Sequence, residues 1–371
     1  MRVAIDTRKL HDFGIGTYIR NLLRHLARLD RESEYVLFCR PEDSLFAAEL
    51  GPNFRSVPDR SAPYSLREQL SLPLAAAREH VDVYHAPHYV LPILIRGRRV
   101  VTIHDCIHLM FPQYLPYRFA KTYARAMLYS ATRRADRIVT VSESSKRDIL
   151  RFFSVKPEKI SVIYNAIDEH FSVPPTDEAV ERVRGRYQLE DPFVLYVGNV
   201  KPHKNVERLI DAFGLLRRRG VDGLKLVIIG DEISKFQTLR RAVHRHKLHK
   251  HVRFLGFVPD DTLSVLYRLA GVFVFPSLYE GFGLPPLEAM ACGAPVITSN
   301  VSSLPEVVGD AALLVDPYSS EAIAEAIWKV LSDSSLSERL RAKGLARAQD
   351  FSWQRSVART LEIYREVAET R

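Results

Sequence analysis

The chain has little cysteine and no apolar run of membrane-spanning length. Its three cysteines, Cys39, Cys106 and Cys292, are scattered without a CxxC pair, which favours buried thiols in a reducing compartment over a disulfide framework. The lack of a long apolar run argues against a membrane-spanning protein. The opening MRVAIDTRKL is a short apolar run without a cleavage site, so we predict no signal peptide and a cytoplasmic location.

Low-complexity tracts, collagen-like stretches and short-period repeats are also absent from the sequence. A hydrophobic content of 46% with 26% charged residues is typical of a soluble globular protein. At 371 residues the chain is too long for one ordinary domain and suits two.

Positive charge is concentrated in one window of the chain. The net charge is +9, and residues 91–160 hold 14 Lys and Arg against 5 Asp and Glu, so the remainder sums to zero. Within this window, LPYRFAKTYARAMLYSATRRADRI has a roughly helical, amphipathic pattern. Two interpretations stay open: a helix on an anionic membrane surface at the inner membrane face, and a surface helix with a solvated basic face. We predict no nucleic-acid partner.

Short apolar runs alternate with helical patterns in both halves of the chain. The runs are RVAIDT, YVLFCR, VDVYHAP, RVVTIHD, RIVTVSE and KISVIYNAI in the first half, and FVLYVGN, LKLVIIGD, VRFLGFV, VFVFPS, PVITSN and AALLVDP in the second. This alternation predicts an α/β fold with two Rossmann-like, doubly wound domains. We place them at 1–170 and 191–352, joined by a strand-free linker at 171–190. Ligands bind at the carboxyl ends of such strands, so we expect the domains to face a central cleft.

One motif, YEGFGLPPLEAMACGAPV at 279–296, places Glu280 and Glu288 on either side of a turn. The Pro-Pro pair fits the first turn of a helix and Gly293 its end, which predicts a helix from about 284–286 to 292. Glycines just before a helix N-terminus suit a phosphate, and a carboxylate one turn into the helix suits ribose hydroxyls. The alternative, two surface acids, is disfavoured by this turn.

A second motif, LYVGNVKPHKNVERLI, predicts a strand over 193–197 that ends at Gly198 and a helix that starts near Asn205. Lys204 then lies at the head of that helix. A lysine there can neutralise a leaving phosphate as a point charge. The alternative is an ordinary solvent-exposed lysine at a turn.

With these motifs the chain resembles the retaining glycosyltransferases of family 4, which have the GT-B architecture of two Rossmann-like domains. EGFGLPPLEAMACGAPVITS is similar to the family's Glu-x7-Glu signature, and YVGNVKPHKN to its strand–Gly–Lys motif. The resemblance extends over nearly the whole chain through VIYNAIDEHF, TIHD, VSESSKRDI, HDFGIGTY, LLVDPYSSEAIAEAI and FSWQRSVART. It implies that a last helix, 353–371, packs back on the first domain.

The resemblance implies roles for individual residues. Glu288 would hold the ribose hydroxyls of a nucleotide-diphosphate sugar, and Glu280 would contact hydroxyls of the transferred sugar. Lys204 would lie beside the diphosphate, and His104, at the end of RVVTIH, would lie near the reacting carbon. Glu280, Lys204 and His104 are thus the implied catalytic residues. The other implied donor contacts are Gly198, Asn199, Gly281, Phe282, Gly283 and Leu284.

Two glycines and one departure from the family pattern complete this prediction. Gly14 and Gly16, in GIGT, would form a loop that lets the backbone approach the donor phosphate or the acceptor closely. The family often has Arg at the position of Asn199. A full positive charge is therefore missing, so either Lys204 acts alone or another cation compensates.

The combination of GNVKPHKN with EGFGLPPLEAM resembles the mannosyl- and rhamnosyltransferases of bacterial surface-polysaccharide synthesis. It implies transfer of a hexose with retention, with GDP-mannose favoured over UDP- or ADP-sugar donors. The implied acceptor is a saccharide or a lipid-linked saccharide. No Asp-x-Asp motif follows a strand, so we predict no metal and no cofactor besides the nucleotide-sugar donor.

Other classes of protein fit the sequence less well. The more distant alternative is a nucleotide-dependent enzyme of another class, such as a dehydrogenase. It needs GxGxxG after the first strand, and DFGIGTYIR has no third glycine in register. A glycoside hydrolase would use two carboxylates across one bond, whereas Glu280 and Glu288 flank a phosphate turn. A non-catalytic sugar- or lipid-binding protein would not need Glu280 and Lys204. The function that the resemblance implies, a glycosyltransferase, is therefore our prediction.

Overall fold

The computed structural model describes residues 1–114, 118–189, 192–221, 223–230 and 236–369. The chain divides into two compact units, Met1–Asn165 with Ser352–Arg371, and Ala166–Phe351. The boundary was expected at residue 170, followed by a linker at 171–190. That segment is counted with the second unit and holds a helix, Asp177–Tyr187. Residues 370 and 371 of the expected last helix lie outside the described residues.

The first unit is built on a parallel sheet, which in the described residues has seven strands in the order β3-β2-β1-β4-β5-β6-β7. Ala4 on β1 lies opposite Val36 on one side and Tyr84 on the other. The strands are β1 (Arg2–Asp6), β2 (Glu34–Cys39), β3 (Phe54–Pro58), β4 (Val83–Ala86), β5 (Arg98–Ile103), β6 (Arg137–Thr140) and β7 (Ile160–Val162).

Helices cover this first sheet and bury its apolar side chains. The last helix of the chain packs on the first helix and on β4 and β5. A buried core joins Val36, Tyr84 and Val101 of the sheet to Leu72 and Leu128 of the helices. The helices are α1 (Phe13–Leu29), α2 (Phe46–Leu50), α3 (Glu68–Arg78), α4 (Ile107–Met110), α5 (Arg118–Arg134), α6 (Glu143–Phe152) and, from the chain's end, α15 (Trp353–Glu369).

The second unit repeats this plan with a parallel sheet whose described strands are ordered β10-β9-β8-β11-β12-β13. The strands are β8 (Phe193–Val197), β9 (Lys225–Ile229), β10 (Val252–Gly256), β11 (Val272–Phe275), β12 (Val296–Ser299) and β13 (Ala312–Val315). The helices are α7 (Asp177–Tyr187), α8 (Val206–Arg218), α9 (Gln237–Arg245), α10 (Asp260–Leu269), α11 (Leu284–Ala291), α12 (Leu304–Val308), α13 (Ser320–Ser332) and α14 (Ser334–Ala348).

The prediction of two Rossmann-like, doubly wound units is confirmed. Strands such as β8 and β11 are buried along their whole length, as expected of parallel strands covered by helices. The sequence prediction missed β3. This edge strand has one buried residue, Phe54, and ends at Pro58, so it lacks the continuous apolar pattern of the inner strands.

Strand order reverses at one point in each sheet, between β1 and β4 and between β8 and β11. In open α/β sheets, ligands bind outside the carboxyl ends of the strands at this switch point. We therefore expect a ligand site in the loops that follow these four strands.

Candidate active site

At the switch point of the second sheet, the loop after β8 and the loop after β11 bring two opposite charges together. Lys204 Nζ lies 2.7 Å from Glu280 Oε1 and 2.9 Å from Oε2, although 76 residues separate them in sequence. Their side chains are 17% and 12% exposed, so the pair is largely enclosed but still reachable from solvent. An ammonium has three donors, so one N–H of Lys204 is left for another acceptor such as a phosphate oxygen.

The Lys204 loop is held by the residue that follows it. Asn205 has a left-handed backbone with φ of 60°, and its Nδ2 donates to the Pro276 carbonyl at 2.9 Å and the Pro317 carbonyl at 2.7 Å. The Leu278 N–H donates to the His203 carbonyl at 2.7 Å. One buried amide therefore ties together the loops after β8, β11 and β13. Sequence analysis placed a helix start near Asn205 but missed these bonds, because the side chain bonds to carbonyls of distant loops and does not cap the helix.

The Glu280 turn is held by two serines from the loop after β12. Ser302 Oγ donates to the Glu280 carbonyl at 2.6 Å and accepts from the Glu280 N–H at 3.1 Å. Ser303, fully buried, places its Oγ 2.6 Å from the Phe282 carbonyl and 2.9 Å from that of Glu280. Sequence analysis missed both serines, because their bonds go to backbone atoms of another loop.

The turn continues into α11 (Leu284–Ala291), as predicted, and Gly293 ends it with φ of 73°. Gly283 caps the helix start with φ of 120°, a conformation that favours glycine. A Cβ at Gly283 would also lie 2.9 Å from Leu304 Cδ2. Pro285 and Pro286, the second and third residues of α11, carry no N–H, so the helix start offers the Leu284 N–H and the positive end of the helix dipole.

Glu288 lies one turn into α11. The residue is half-buried, and protein encloses its carboxyl group. This burial raises the pKa of its carboxyl from 4.5 to about 7, against the opposing hydrogen bond from the Tyr267 hydroxyl to Oε2 at 3.0 Å. Asp260 raises the pKa further and His170 lowers it. Near neutral pH this carboxyl therefore changes between a hydrogen-bond donor and a pure acceptor.

Gly198 and Asn199 follow β8 directly and are both half-buried. A Cβ on Gly198 would lie 3.0 Å from the Tyr196 hydroxyl, which itself donates to the Asn199 carbonyl at 3.4 Å. Two further basic residues follow Asn199 closely in sequence: Lys201 is exposed and His203 is buried.

In the first unit, His104 follows β5. Its Nε2 lies 3.0 Å from the Pro87 carbonyl, and because a carbonyl only accepts, Nε2 carries the proton and Nδ1 the lone pair. The Tyr18 ring meets the imidazole edge-on at 4.9 Å between centroids. Burial lowers the pKa of His104, against the Pro87 carbonyl and Asp105, so the ring is neutral near pH 7. Asp105 accepts from the Ile107 N–H at 2.9 Å, which starts α4.

Behind His104 lies a buried chain of hydrogen bonds that reaches the last helix. Tyr18 Oη lies 3.1 Å from Thr102 Oγ1, and that oxygen lies 2.8 Å from His85 Nε2. His85 Nδ1 lies 2.6 Å from the Tyr364 hydroxyl on α15. Burial lowers the pKa of His85 to about 3, so it is neutral and bonds through both ring nitrogens. Nothing in the sequence pointed to this chain of contacts.

Gly14 and Gly16 were expected in a loop, and the structure instead places both in the first turn of α1. A Cβ on Gly16 would lie 2.3 Å from the Leu10 carbonyl oxygen, so a close approach within the chain requires glycine there. Around Gly14 no heavy atom lies within 4 Å of such a Cβ.

The switch point of the first sheet holds a charged cluster that sequence analysis did not predict. Arg8 Nη2 lies 2.7 Å from Asp6 Oδ2 and 2.8 Å from Glu68 Oε2, and Nη1 lies 2.9 Å from Ser61 Oγ. A small cavity beside it is also lined by Tyr64. Because Arg8 bonds to all of these groups, its charge is used within the fold.

The structure thus brings Lys204, Glu280 and the start of α11 together in the second unit, and places His104, Gly14 and Gly16 in the first. Within the described residues, no three His, Cys, Asp or Glu side chains are grouped as around a metal ion. None of the described helices is both long and apolar enough to cross a bilayer.

Comparison with known proteins gives matches along both units. The model of the Glycosyltransferase Family 4 matches residues 14–171, and that of the Glycosyl transferases group 1 matches residues 177–347. O-antigen chain mannosyltransferase B of Escherichia coli is 38% identical over 292 residues, which cover 78% of this chain and 76% of that protein. Serotype-specific mannosyltransferase WbdA of the same species is 35% identical over 223 residues, which cover 59% of this chain and only 27% of that protein.

Among solved structures, Anabaena HepE in complex with UDP and glucose has the same fold. Its TM-score is 0.79 at 19% identity, and the match covers 99% of this chain and 100% of that one. Two Rossmann-like units of this order are the GT-B fold of glycosyltransferases. The chain belongs to the family 4 glycosyltransferases, and the resemblance stated from its motifs is confirmed.

Proposed function

We propose that this glycosyltransferase moves mannose from GDP-mannose, with retention at the anomeric carbon, to a saccharide or lipid-linked saccharide. The named activities of its relatives, O-antigen chain mannosyltransferase B and WbdA, support a role in cell-surface glycan synthesis. The proposal includes a cytoplasmic location, independence of metal ions and contact of residues 91–160 with the inner membrane face.

One observation carries the proposal: the contact of Lys204 with Glu280 at the switch point, beside the start of α11. The remaining Lys204 donor, the Leu284 N–H and the helix dipole all favour a negative charge at this place. A diphosphate bound there is stabilised as it leaves, which is the main electrostatic demand of glycosyl transfer. The backbone of Phe282 and Gly283 and the residues Gly198, Asn199 and Gly281 complete the donor contacts in this proposal.

The other residues take roles at the two ends of the donor. Glu288 accepts hydrogen bonds from the ribose hydroxyls, and Glu280 contacts hydroxyls of the sugar while keeping Lys204 in place. His104 is neutral and donates its Nε2 proton to the Pro87 carbonyl. In this proposal its ring contacts the transferred sugar. The acceptor hydroxyl attacks on the face from which the diphosphate leaves, and the diphosphate takes its proton.

A second donor class is favoured by one specific observation. The structurally similar Anabaena HepE was solved with UDP and glucose, which makes a UDP-sugar the alternative donor here. An ADP-sugar is a third choice on the same fold.

The test is incubation of the purified protein with GDP-mannose, UDP-glucose and ADP-glucose, each with and without chelator, while released nucleotide is measured. Thermal shifts with GDP, UDP and ADP report binding separately. We expect the largest shift with GDP, release from GDP-mannose that chelator does not change, and loss of both in Lys204→Met. Exposed Lys343, which pairs with Asp310, provides the matched control Lys343→Met.

The outcomes separate the parts of the proposal. A shift with UDP alone would replace the donor and leave the transferase role. No shift with any of the three nucleotides, or an unchanged shift in Lys204→Met, would contradict the proposed site itself.

A further inference from the structure

A one-turn 3₁₀ helix, Glu169–Ser172, lies against the side of the candidate active site that holds Glu288. This turn packs on α10 and on α11, the helix that carries Glu288. Arg268 Nη2 donates to the Phe171 carbonyl at 3.0 Å and to the Val173 carbonyl at 3.1 Å. The turn is therefore fixed to α10 through its main chain, and its side chains keep a constant place beside α11.

Packed rings lead from this turn to the carboxyl of Glu288. The His170 and Phe171 rings lie 4.0 Å apart, and the Phe171 ring meets that of Tyr267 edge-on at 5.9 Å. The Tyr267 hydroxyl is the donor to Glu288 Oε2. His170 thus belongs to the same packed group as the carboxyl that is proposed to hold the ribose.

His170 has one ring nitrogen paired and the other enclosed. Its Nδ1 lies 3.1 Å from Asp168 Oδ1, and a carboxylate only accepts, so Nδ1 carries a proton. Its Nε2 is buried and has no hydrogen-bond partner within the part of the chain that the structure describes. A second proton, at Nε2, would make the ring a cation, and the neighbouring charges decide how readily this cation forms.

The surroundings of His170 favour the cation. The titratable and charged groups near it are Asp168 on its own segment, Asp260, Tyr267 and Arg268 on α10, and Glu288 and Cys292 on or next to α11. The hydrogen bond to Asp168 raises the pKa of His170 against its burial, and Glu288 raises it further. Burial raises the pKa of Tyr267 well above 10 and that of Cys292 to about 12, so both stay neutral.

The enclosed carboxyl of Glu288 in turn needs a positive charge nearby. Burying a carboxylate without a compensating charge costs free energy. Among the charges that act on Glu288, Asp260 and Asp168 disfavour its ionised form, and His170 favours it. The two side chains therefore stabilise each other's charged forms.

We infer that His170 is a positioning residue for Glu288: its imidazolium stabilises the ionised carboxyl, and Asp168 holds the ring in the orientation that does so. The inference rests on the proposed function for the role of Glu288 at the ribose. It adds how this carboxyl is kept as a pure acceptor near neutral pH. In this assignment His170 acts through Glu288 and does not itself contact the nucleotide.

The first test needs no nucleotide and follows the His170 imidazole signal by NMR while pH is varied. The signal is assigned by its loss in His170→Gln. In Glu288→Gln we expect His170 to lose its proton at lower pH than in the wild type, because a neutral amide no longer favours the imidazolium. His246, whose Nε2 lies 2.7 Å from Asp211, is a second Asp-paired histidine of this unit and should titrate alike in both proteins.

The second test is calorimetric titration with GDP from pH 6 to pH 9. In His170→Gln the rise of affinity with pH should move to higher pH, so that affinity is about threefold lower at pH 7 and equal to the wild type at pH 9. Asp168→Asn should move the rise in the same direction by less. The matched control His246→Gln should bind GDP like the wild type at every pH, and thermal denaturation checks that each variant is folded.

The outcomes keep this inference apart from the proposed function. A His170 titration that is unchanged in Glu288→Gln would overturn the pairing of the two charges. Affinity in His170→Gln that is reduced equally at every pH would assign the histidine to packing alone and would also overturn the inference. A wild type that binds none of GDP, UDP and ADP would contradict the proposed function, and the NMR titration would then decide the pairing by itself.

Discussion

At the switch point of the first sheet, the Arg8 side chain is 4% exposed and bonds to Asp6, Glu68 and Ser61. At the equivalent point of the second sheet, Lys204 and Glu280 contact each other and remain reachable from solvent. Enclosed charges that pair with one another serve the fold. A pair that keeps a free donor beside a helix start can serve a ligand. The same topological position thus holds a structural cluster in one unit and the candidate active site in the other.

The largest effect that this comparison predicts is on stability, from Arg8→Met. The substitution leaves Asp6 and Glu68 enclosed without their cation. Breaking a buried ion pair by removing one partner costs about 3–5 kcal/mol. Urea denaturation should show this loss of unfolding free energy, with nucleotide-induced thermal shifts still present in the folded fraction.

The matched control for Arg8→Met is Arg219→Met, whose partner Glu325 is exposed like Arg219 itself. A surface pair contributes at most about 1 kcal/mol. If Arg8→Met kept full stability and lost activity, the cluster in the first unit would be part of the active site and the comparison would fail.

Next in size is the effect of Glu280→Gln on catalysis. The amide keeps the shape of the side chain but removes the charge that holds Lys204 and accepts sugar hydroxyls. We expect kcat to fall by about 10²–10³-fold, the range for loss of one preorganised electrostatic contact. Thermal shifts with nucleotide should stay near the wild-type value. Steady-state kinetics and calorimetric titration with the nucleotide measure the two effects.

Glu325→Gln, on an exposed helix face, controls for a general effect of the substitution. Equal loss of nucleotide affinity and of kcat in Glu280→Gln would place Glu280 at the nucleotide and not at the sugar.

A smaller effect concerns the pH dependence of donor binding through Glu288. Its carboxyl has a pKa of about 7, and only the ionised form accepts bonds from two ribose hydroxyls. Nucleotide affinity should therefore rise about tenfold between pH 6 and pH 8. The free energy of unfolding changes with pH in the opposite direction. Because burial raises the pKa of Glu288 above 4.5, its contribution to stability is lost as pH rises through about 7.

Glu288→Gln should bind the nucleotide more weakly and without this rise in affinity. Titrations at several pH values with both proteins make the measurement. A wild-type affinity that is flat from pH 6 to pH 8 would show that the ribose hydroxyls bind elsewhere.

The comparison also explains what the sequence could predict. Inner parallel strands are buried on both faces, so continuous apolar runs such as FVLYV and VFVF predicted β8 and β11. The edge strand β3 has no such run and was not predicted. The positions of Lys204 and Glu280 in the fold were predictable because each follows a strand, within a turn marked by glycine and proline, whereas their roles remain predictions.

Their supports were not predictable in the same way. Ser302, Ser303 and Asn205 bond to backbone carbonyls of other loops, and any small polar residue in sequence gives the same signal. The contact of His85 with Tyr364 joins residues 279 positions apart, and only the folded topology brings them together.

The smallest predicted effect tests that long-range contact. In Tyr364→Phe, His85 Nδ1 loses its partner at 2.6 Å in a fully buried place, while ring packing is retained. Loss of one buried hydrogen bond costs about 1 kcal/mol. Thermal denaturation should show a lower midpoint, by roughly 2–4 °C. Tyr318→Phe, which alters an exposed tyrosine of the second unit, should leave the midpoint unchanged.

Nucleotide affinity gives the second measurement on Tyr364→Phe. Tyr18 stays packed against His104 through its ring, and the change lies three contacts away, at the end of the Tyr18–Thr102–His85 chain. The proposed nucleotide site lies in the second unit, so nucleotide affinity should not change. A midpoint equal to that of the wild type would mean that water replaces the lost hydroxyl. The Tyr364 hydroxyl would then contribute no net free energy of unfolding to the first unit beyond what that water supplies.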